Sequence, residues 1–211
     1  MGNRAMIMSE GKNYGVYLHW NGGNDSVSAF LEYCEMRNFR GFDDGYGMAR
    51  FTQVVSNYFG ADGLSIGIEE CTNKENNGFD NGIYIVKDWE IVKCINGNSY
   101  HEGYDKIEML IEIDNRQPTD EQLGKDYITA EKVSIYDLAI GDKVFIIDRN
   151  GNVKNHPVVG IGAEGAICNG RKVAGVPFID KYENNGSYES NSNNYLCYYA
   201  DKENKIRVNK R

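Results

Sequence analysis

A glycine pair between a strand pattern and a helix pattern is the feature that most restricts how this chain can fold. Residues Tyr14 to Trp20 are mostly aromatic or branched apolar residues, which favour a β-strand. Apolar residues then recur at the i, i+3, i+4, i+7 spacing of an amphipathic helix, at Val27, Phe30, Leu31 and Cys34. Asp25 or Ser26 is expected to cap this helix. The sequence therefore predicts a strand–loop–helix junction with the residues Asn21, Gly22, Gly23, Asn24, Asp25 and Ser26.

Several further elements are predicted before residue 130. A helix over about 46–59 carries an apolar stripe and is followed by a glycine, as helix C-termini often are. Residues 64–68 alternate as in a half-buried strand. Asp80-Asn81-Gly82 turns the chain into strands at 83–86 and 89–94, and a helix over 105–116 ends before Pro118. Thr119 and Gln122 have the spacing of a capping box for one more short helix.

The character of the chain changes near residue 130. Residues 1–130 hold 11 basic and 21 acidic residues, a net charge of −10, whereas residues 131–211 hold 12 and 10, a net charge of +2. Short strand patterns separated by Asn-Gly turns predict a small antiparallel, SH3-like barrel over 131–180. Residues 181–211 are expected to form an Asn-rich loop and a basic tail that frays. The predicted fold class is α+β, with an acidic mixed domain over 1–130.

The overall charge limits the partners that this chain can have. The net charge of −8 disfavours nonspecific binding to nucleic acid or to an anionic membrane. No apolar run approaches the roughly 18 residues needed to span a bilayer. Residues Met1 to Lys12 have no apolar segment typical of a secretory signal, so a cytoplasmic location is expected.

Cysteine and histidine spacing predicts neither a metal site nor a cofactor. The five cysteines are widely spaced and form no Cys-x-x-Cys pair, and Cys34 and Cys94 occupy apolar positions of periodic segments. Buried thiols are therefore expected. His19 beside Trp20 is interpreted as a packing residue, and His156 before Pro157 as a solvent-facing ring.

The junction also has the chemistry of an anion site. Backbone N–H groups at a helix N-terminus attract anions, and glycines let a ligand approach closely. Gly22, Gly23, Asp25 and Ser26 match the Ser-Gly-Gly-x-Asp-Ser pattern of the PP-loop ATP pyrophosphatases, which this segment resembles, with Asn21 in place of the first serine. The resemblance implies a pyrophosphate cradle made by the Gly22 and Gly23 amides and the Ser26 hydroxyl.

The surroundings of the junction depart from that family. Its members continue into a second strand of a parallel sheet, whereas this chain continues into another helix pattern. The loop holds no Lys or Arg, and Asp43, Asp44 and Asp62 would repel phosphate if they lie near it. The alternative to an anion site is a tight structural turn.

Aromatic residues point to a binding surface, although core packing is expected to account for most of them. They make up 12% of the chain, including 15 tyrosines, and aromatic residues are enriched at protein interfaces. Those in loop-like stretches are Phe42, Tyr46, Phe79, Tyr100, Tyr104, Tyr182, Tyr188, Tyr195, Tyr198 and Tyr199.

Three segments of the acidic half resemble small proteins of phages and mobile elements of Gram-positive bacteria. They run from Tyr17 to Val27, from Tyr46 to Gly60 and from Asn81 to Val86. Some such proteins are type II anti-CRISPRs, which inhibit Cas9. The resemblance implies a protein that acts by occupying a surface, with its acidic half against a basic nucleic-acid channel, and it brings no catalytic residues.

The predicted function is therefore that of a non-enzymatic inhibitor of a bacterial defence nuclease, with the Cas9–guide RNA complex as first candidate partner. The predicted partner-binding surface consists of Asp43, Asp44, Tyr46, Asp62, Glu69 and Glu70. If the protein is phage-encoded, it would act in the cytoplasm of the host cell. Two alternatives stay open: a PP-loop-like nucleotide-binding enzyme, and a sponge that holds a signalling nucleotide without chemistry.

Overall fold

Two units make up the chain, Met1–Gln122 and Leu123–Arg211. The computed structural model describes residues 2–60, 63–72, 74, 78–97, 103–148, 151–161, 166–168, 171–173, 175, 177–179 and 199–210. Helices and mixed or antiparallel sheets occur together, which confirms the α+β class. None of the described helices has both the length and the apolar character needed to cross a membrane.

The described residues of the first unit form a five-stranded sheet and three α-helices. Its elements are β1 Ala5–Ser9, β2 Tyr14–Leu18, α1 Asn24–Met36, α2 Gly45–Phe59, β3 Ile66–Glu70, β4 Ile83–Lys87, β5 Glu90–Ile95 and α3 Lys106–Asn115. The strand order is β3-β2-β1-β4-β5. The central pair β1–β4 is parallel, and the other pairs are antiparallel.

The central strand β1 is absent from the sequence-based prediction. Every residue of Ala5–Ser9 is buried, because the strand lies in the middle of the sheet with apolar groups on both faces. Strands buried on both faces have continuous apolar runs instead of alternation, so the period-two signal is missing.

The two faces of the sheet are packed differently. On one face, Ile7 lies between Val16 and Tyr84, and the Tyr84 hydroxyl donates to the carbonyl of Gly22 just before α1. This is the face towards α1. The opposite face carries a second cluster, Met6, Met8, Cys71, Ile83 and Ile85, against which Tyr17, Phe79 and Ile95 pack. Each large apolar side chain buried in this way contributes about 1.5–3 kcal/mol.

Buried polar groups join the helices. The Tyr33 hydroxyl on α1 donates to Asp114 Oδ1 on α3 at 2.7 Å, and both residues are buried. Arg37 donates to the carbonyl of Glu121, and the Gln117 side chain donates to the carbonyl of Val54 on α2. Burial, and next the hydrogen bond to Asp114, raise the pKa of Tyr33 well above its ordinary value. Burial likewise raises the pKa of the Cys34 thiol.

Two local predictions in this unit are wrong. Thr119–Glu121 is a single 3₁₀ turn that follows Pro118 without a side-chain cap, because the Gln122 amide donates instead to the carbonyl of Gln117. Cys94 is exposed, because its strand β5 forms the sheet edge, whereas Cys34 is buried as expected.

The second unit is built mainly from antiparallel strands. Its elements are α4 Lys125–Ile128, β6 Glu131–Ser134, a 3₁₀ turn at Ile135–Asp137, β7 Lys143–Ile147, β8 Val153–Ile161, β9 Ala166–Cys168, β10 Arg171–Val173, β11 Pro177–Ile179 and β12 Lys205–Asn209. One sheet has the order β11-β8-β7-β12-β6, and β9 pairs with β10. Within the described residues neither sheet closes on itself, so an SH3-like barrel is not confirmed.

The basic end of the chain is a strand, contrary to the prediction of a fraying tail. β12 lies between β6 and β7, and its Ile206 and Val208 are buried in the core of the unit. Alternation of these apolar residues with Lys205, Arg207 and Asn209 is the period-two pattern of a half-buried strand. The Asn-rich loop expected over 183–194 lies outside the described residues.

Candidate functional site

The chain reverses at Asn21, where β2 gives way to α1. Asn21 has φ of +53°, in the left-handed region that asparagine tolerates better than most residues other than glycine. This backbone geometry accounts for asparagine at the position where the PP-loop pattern has serine.

Gly22 is held by close packing. Its N–H donates to the carbonyl of Asn3 at 2.9 Å, and its own carbonyl accepts from Tyr84. A Cβ atom at this position would lie 2.4 Å from the Asn3 carbonyl oxygen and 2.8 Å from Ala5 Cβ. Glycine is therefore required here by the adjacent β1 segment, and its amide is already bonded within the protein.

The start of α1 differs from the sequence-based prediction. The N-cap is Gly23, without a side-chain cap, whereas Asp25 or Ser26 was expected. Asp25 instead accepts from the Ser26 N–H and from the Gly103 N–H, and Ser26 is fully buried. The serine lies inside the fold, because the helix begins before it and its position faces the core.

β2, the strand that leads into the junction, is antiparallel to both of its neighbours, β1 and β3, although the same sheet contains the parallel pair β1–β4. The PP-loop resemblance implied a parallel sheet. In this structure the Gly22 N–H is bonded to the carbonyl of Asn3, and the Ser26 side chain is buried. These two groups therefore do not form an open phosphate cradle.

Polar side chains cluster near the start of β1. His19 Nδ1 lies 3.0 Å from the Tyr17 hydroxyl, and the His19 ring packs edge-on against Trp20. Arg4 donates through Nε and Nη2 to both carboxylate oxygens of Asp80, and this pairing lowers the pKa of Asp80 to about 2.

His156 differs from the prediction. Its ring is partly buried on β8, and the Nε2 atom is shielded from solvent. His101 lies outside the described residues.

Three of the predicted partner-binding residues lie at the start of α2. Asp44 is the N-cap, accepts from the Tyr46 N–H at 2.8 Å and pairs with Arg40 at 3.1 Å. The Arg40 guanidinium stacks over the Tyr46 ring, which is 72% exposed. Asp43 accepts from the N–H of Asp88 in the β4–β5 turn. These residues therefore adjoin the β4–β5 hairpin.

The other predicted partner-binding residues are elsewhere. Glu69 and Glu70 are exposed on β3, at the sheet edge opposite to β5. Four strand spacings separate these edges, roughly 19 Å. Asp62 lies outside the described residues. The predicted surface thus divides into two regions.

The aromatic residues predicted to lie in loops differ in their burial. Phe42 lies in a loop as predicted, but its ring is fully buried against Phe51 and Trp89 and is not part of a surface. Tyr104 is exposed, and Phe79 and Tyr199 are partly buried. The residues of this set outside the described part of the chain are Tyr100, Tyr182, Tyr188, Tyr195 and Tyr198.

A groove that was not predicted runs between α1 and the β4–β5 hairpin. It encloses about 520 Å³. The helix side is formed by Asn24, Ser28, Leu31, Glu32 and Glu35, and the hairpin side by Trp89, Glu90 and Ile91. The Trp89 indole N–H donates to the carbonyl of Phe39 at 3.2 Å, which holds the ring in place. Asn24 joins the groove to the junction.

The acidic corner at the start of α2 contacts the same hairpin, through the hydrogen bond between Asp43 and the N–H of Asp88. We call the combined surface the acidic face: its carboxylates belong to Glu32, Glu35, Asp43, Asp44, Asp88 and Glu90. Among the ion pairs of these residues are those of Lys106 with Glu32 and of Arg40 with Asp44. The spacing of these residues along the chain gave no signal for the groove, because helix and hairpin come together only in the folded unit.

No protein-family model matches the chain, and neither a curated protein nor a solved structure matches it.

Proposed function

We propose that this protein is a non-enzymatic inhibitor that binds a bacterial defence nuclease and blocks its DNA binding or cleavage. The Cas9–guide RNA complex is the first partner to test. The observation that carries the proposal is the acidic face, where exposed carboxylates flank a groove with Trp89 on its wall. The bacterial cytoplasm is where such a nuclease acts, and there the inhibitor would work.

The chemistry of the acidic face suits a basic nucleic-acid channel. Such channels bind phosphate through Lys and Arg, and a protein carboxylate competes for the same side chains. Like-signed charge in the groove repels phosphate itself, so a nucleotide is a poor occupant. Exposed Tyr46 and partly exposed Trp89 add contact area of the kind that anchors interfaces.

The direct test is a pull-down with guide-loaded Cas9, together with assays of target binding and cleavage. We expect a complex at micromolar concentration that weakens as salt is added, because charge pairs carry the association. Absence of a complex, with target binding and cleavage intact, would contradict the proposal.

A pair of charge-reversal variants tests the surface. Glu35→Lys with Glu90→Lys reverses two carboxylates of the groove and is expected to weaken inhibition by at least about tenfold. Glu131→Lys with Asp137→Lys makes the same change in net charge at exposed positions of the second unit and should leave inhibition unchanged. Equal effects of the two variants would show that net charge matters and the acidic face does not.

For the second unit, an SH3-like outline stays part of the proposal. Its support is the five-stranded antiparallel sheet with a core of Val144, Ile146, Val158 and Val208. Pairing between β6 and β11 in an experimental structure would establish the barrel, and widely separated edges would exclude it.

A further inference from the structure

The outer edge of β3 forms a second surface, on the far side of the sheet from the acidic face. β3 pairs with β2 in an unbroken register from Tyr14 opposite Glu70 to Leu18 opposite Ile66. No strand of the described residues pairs with its other side. Because this edge is remote from the acidic face, its role does not depend on the function proposed above.

The ladder shows which backbone groups point outward. The backbone N–H of His19 donates to the carbonyl of Ser65, and the backbone N–H of Cys71 donates to the carbonyl of Asn13. Backbone groups alternate in direction along an antiparallel strand, so Gly67 and Glu69 also face β2. The N–H and C=O groups of Ile66, Ile68 and Glu70 therefore point away from the sheet. An exposed row of this kind is a template for another strand.

The side chains of β3 do little to hinder strand addition. The strand contains no proline, and no bulge interrupts its pairing with β2. Ile68 is 65% exposed and the neighbouring Leu64 is 82% exposed. The strand predicted over 64–68 is therefore observed at Ile66–Glu70. Its apolar side chains stay exposed, because none of the described residues covers this edge.

Charge selects among possible occupants. Glu69 and Glu70 are both exposed, and residues 1–130 carry a net charge of −10. Two copies that paired through β3 would bring together two segments that each carry this net negative charge, and the two copies would repel each other. A basic strand would instead place its Lys or Arg side chains opposite these carboxylates. The net negative charge therefore acts against self-pairing, and Glu69 and Glu70 admit a partner of opposite charge.

We propose that the outer edge of β3 binds an extended basic segment of another protein by strand addition. The segment forms backbone hydrogen bonds with Ile66, Ile68 and Glu70. A β-branched residue packs against Ile68, and Lys or Arg side chains lie opposite Glu69 and Glu70.

The test uses the full chain and a labelled peptide with the core Lys-Lys-Val-Thr-Val. In antiparallel pairing its two lysines face Glu70 and Glu69, and its first valine faces Ile68. We expect saturable binding, with NMR shifts concentrated on the amides of Ile66, Ile68 and Glu70. The control peptide carries proline in place of the first valine, which removes the N–H that Ile68 would accept, and it should not bind.

Variants separate the two surfaces. Glu69→Lys with Glu70→Lys is expected to weaken peptide binding roughly tenfold through loss of two cross-strand charge pairs. Glu35→Lys with Glu90→Lys, on the acidic face, should bind the peptide as the wild type does. Equal binding of the proline peptide, an unchanged affinity of the Glu69/Glu70 variant, or dimers of the free protein paired through β3 would each overturn the proposal.

Discussion

At the scale of single residues, the junction before α1 is specified by backbone geometry. Asn21 adopts a left-handed conformation, and Gly22 lies against Asn3 and Ala5 with no room for a side chain. Ser26 is buried behind them. The packing of a tight turn against β1 thus accounts for Asn21 and Gly22 of the motif.

Replacement of Gly22 by alanine is expected to destabilise the protein by about 1–3 kcal/mol, because the new Cβ would collide with the backbone of β1. Gly45→Ala is the matched control, since a Cβ there meets nothing within 4 Å and alanine favours the helix. Urea denaturation followed by circular dichroism measures both. Equal midpoints for the two variants would show that the junction is loosely packed.

Tyr33 links stability to alkaline pH. Removal of its hydroxyl in Tyr33→Phe leaves Asp114 without this donor inside the fold and should cost about 1–3 kcal/mol. Tyr46→Phe, at an exposed ring, should cost little.

The sign of the pH effect follows from the raised pKa of Tyr33 in the folded state. The folded protein keeps the phenol neutral, so this stabilisation is complete below the unfolded pKa of about 10 and is lost as the pH rises above it. Unfolding free energies measured from pH 9 to 11 should fall more steeply for the wild type than for Tyr33→Phe. The buried Cys34 thiol contributes a decline common to both.

At the scale of elements, α2 connects stability with the acidic face. Asp44 caps the helix and pairs with Arg40, so one carboxylate serves both the fold and the proposed surface. A substitution of Asp44 that changes the surface charge near Asp88 will therefore also change the stability of α2.

Loss of this cap in Asp44→Ala is expected to cost about 0.5–2 kcal/mol. Asp44→Asn keeps an oxygen that can accept from the Tyr46 N–H and should lose less, because an exposed ion pair contributes only about 0–1 kcal/mol. Thermal unfolding of the two variants measures the difference. Equal losses in the two variants would show that the pair with Arg40 dominates.

At the scale of the whole molecule, the charge difference along the chain coincides with two structural units. The first carries the acidic face and the β3 edge, and the second has a sheet completed by the basic strand β12. Binding of a basic partner to the first unit requires negative surface charge, whereas binding of phosphate at the junction requires positive charge.

Millimolar ATP or pyrophosphate is therefore expected to leave the Tm unchanged. A ligand present at 100 times its Kd would stabilise the protein by about 2.7 kcal/mol, which thermal scanning detects readily. We expect no Tm shift because the Gly22 amide is bonded to Asn3 and because carboxylates line the nearby groove. A shift that disappears in Ser26→Ala would instead support one of the nucleotide-binding hypotheses.

The local pattern of the sequence determined the helices α1, α2 and α3 and the strand before the junction. Apolar periodicity and flanking glycine or proline residues specify such elements within a short segment. The α+β class follows from their mixture.

Only the tertiary structure decided the rest. β1 and β12 are inner strands, and each is stabilised by the neighbours with which it pairs in its sheet. Ser26 is buried because β1, β4 and α1 pack around the junction. The groove combines α1 with a hairpin far along the chain, and Glu69 is separated from Asp43 because β3 and β5 lie at opposite edges. Burial and surface charge depend on contacts between segments remote in sequence, which no local pattern contains.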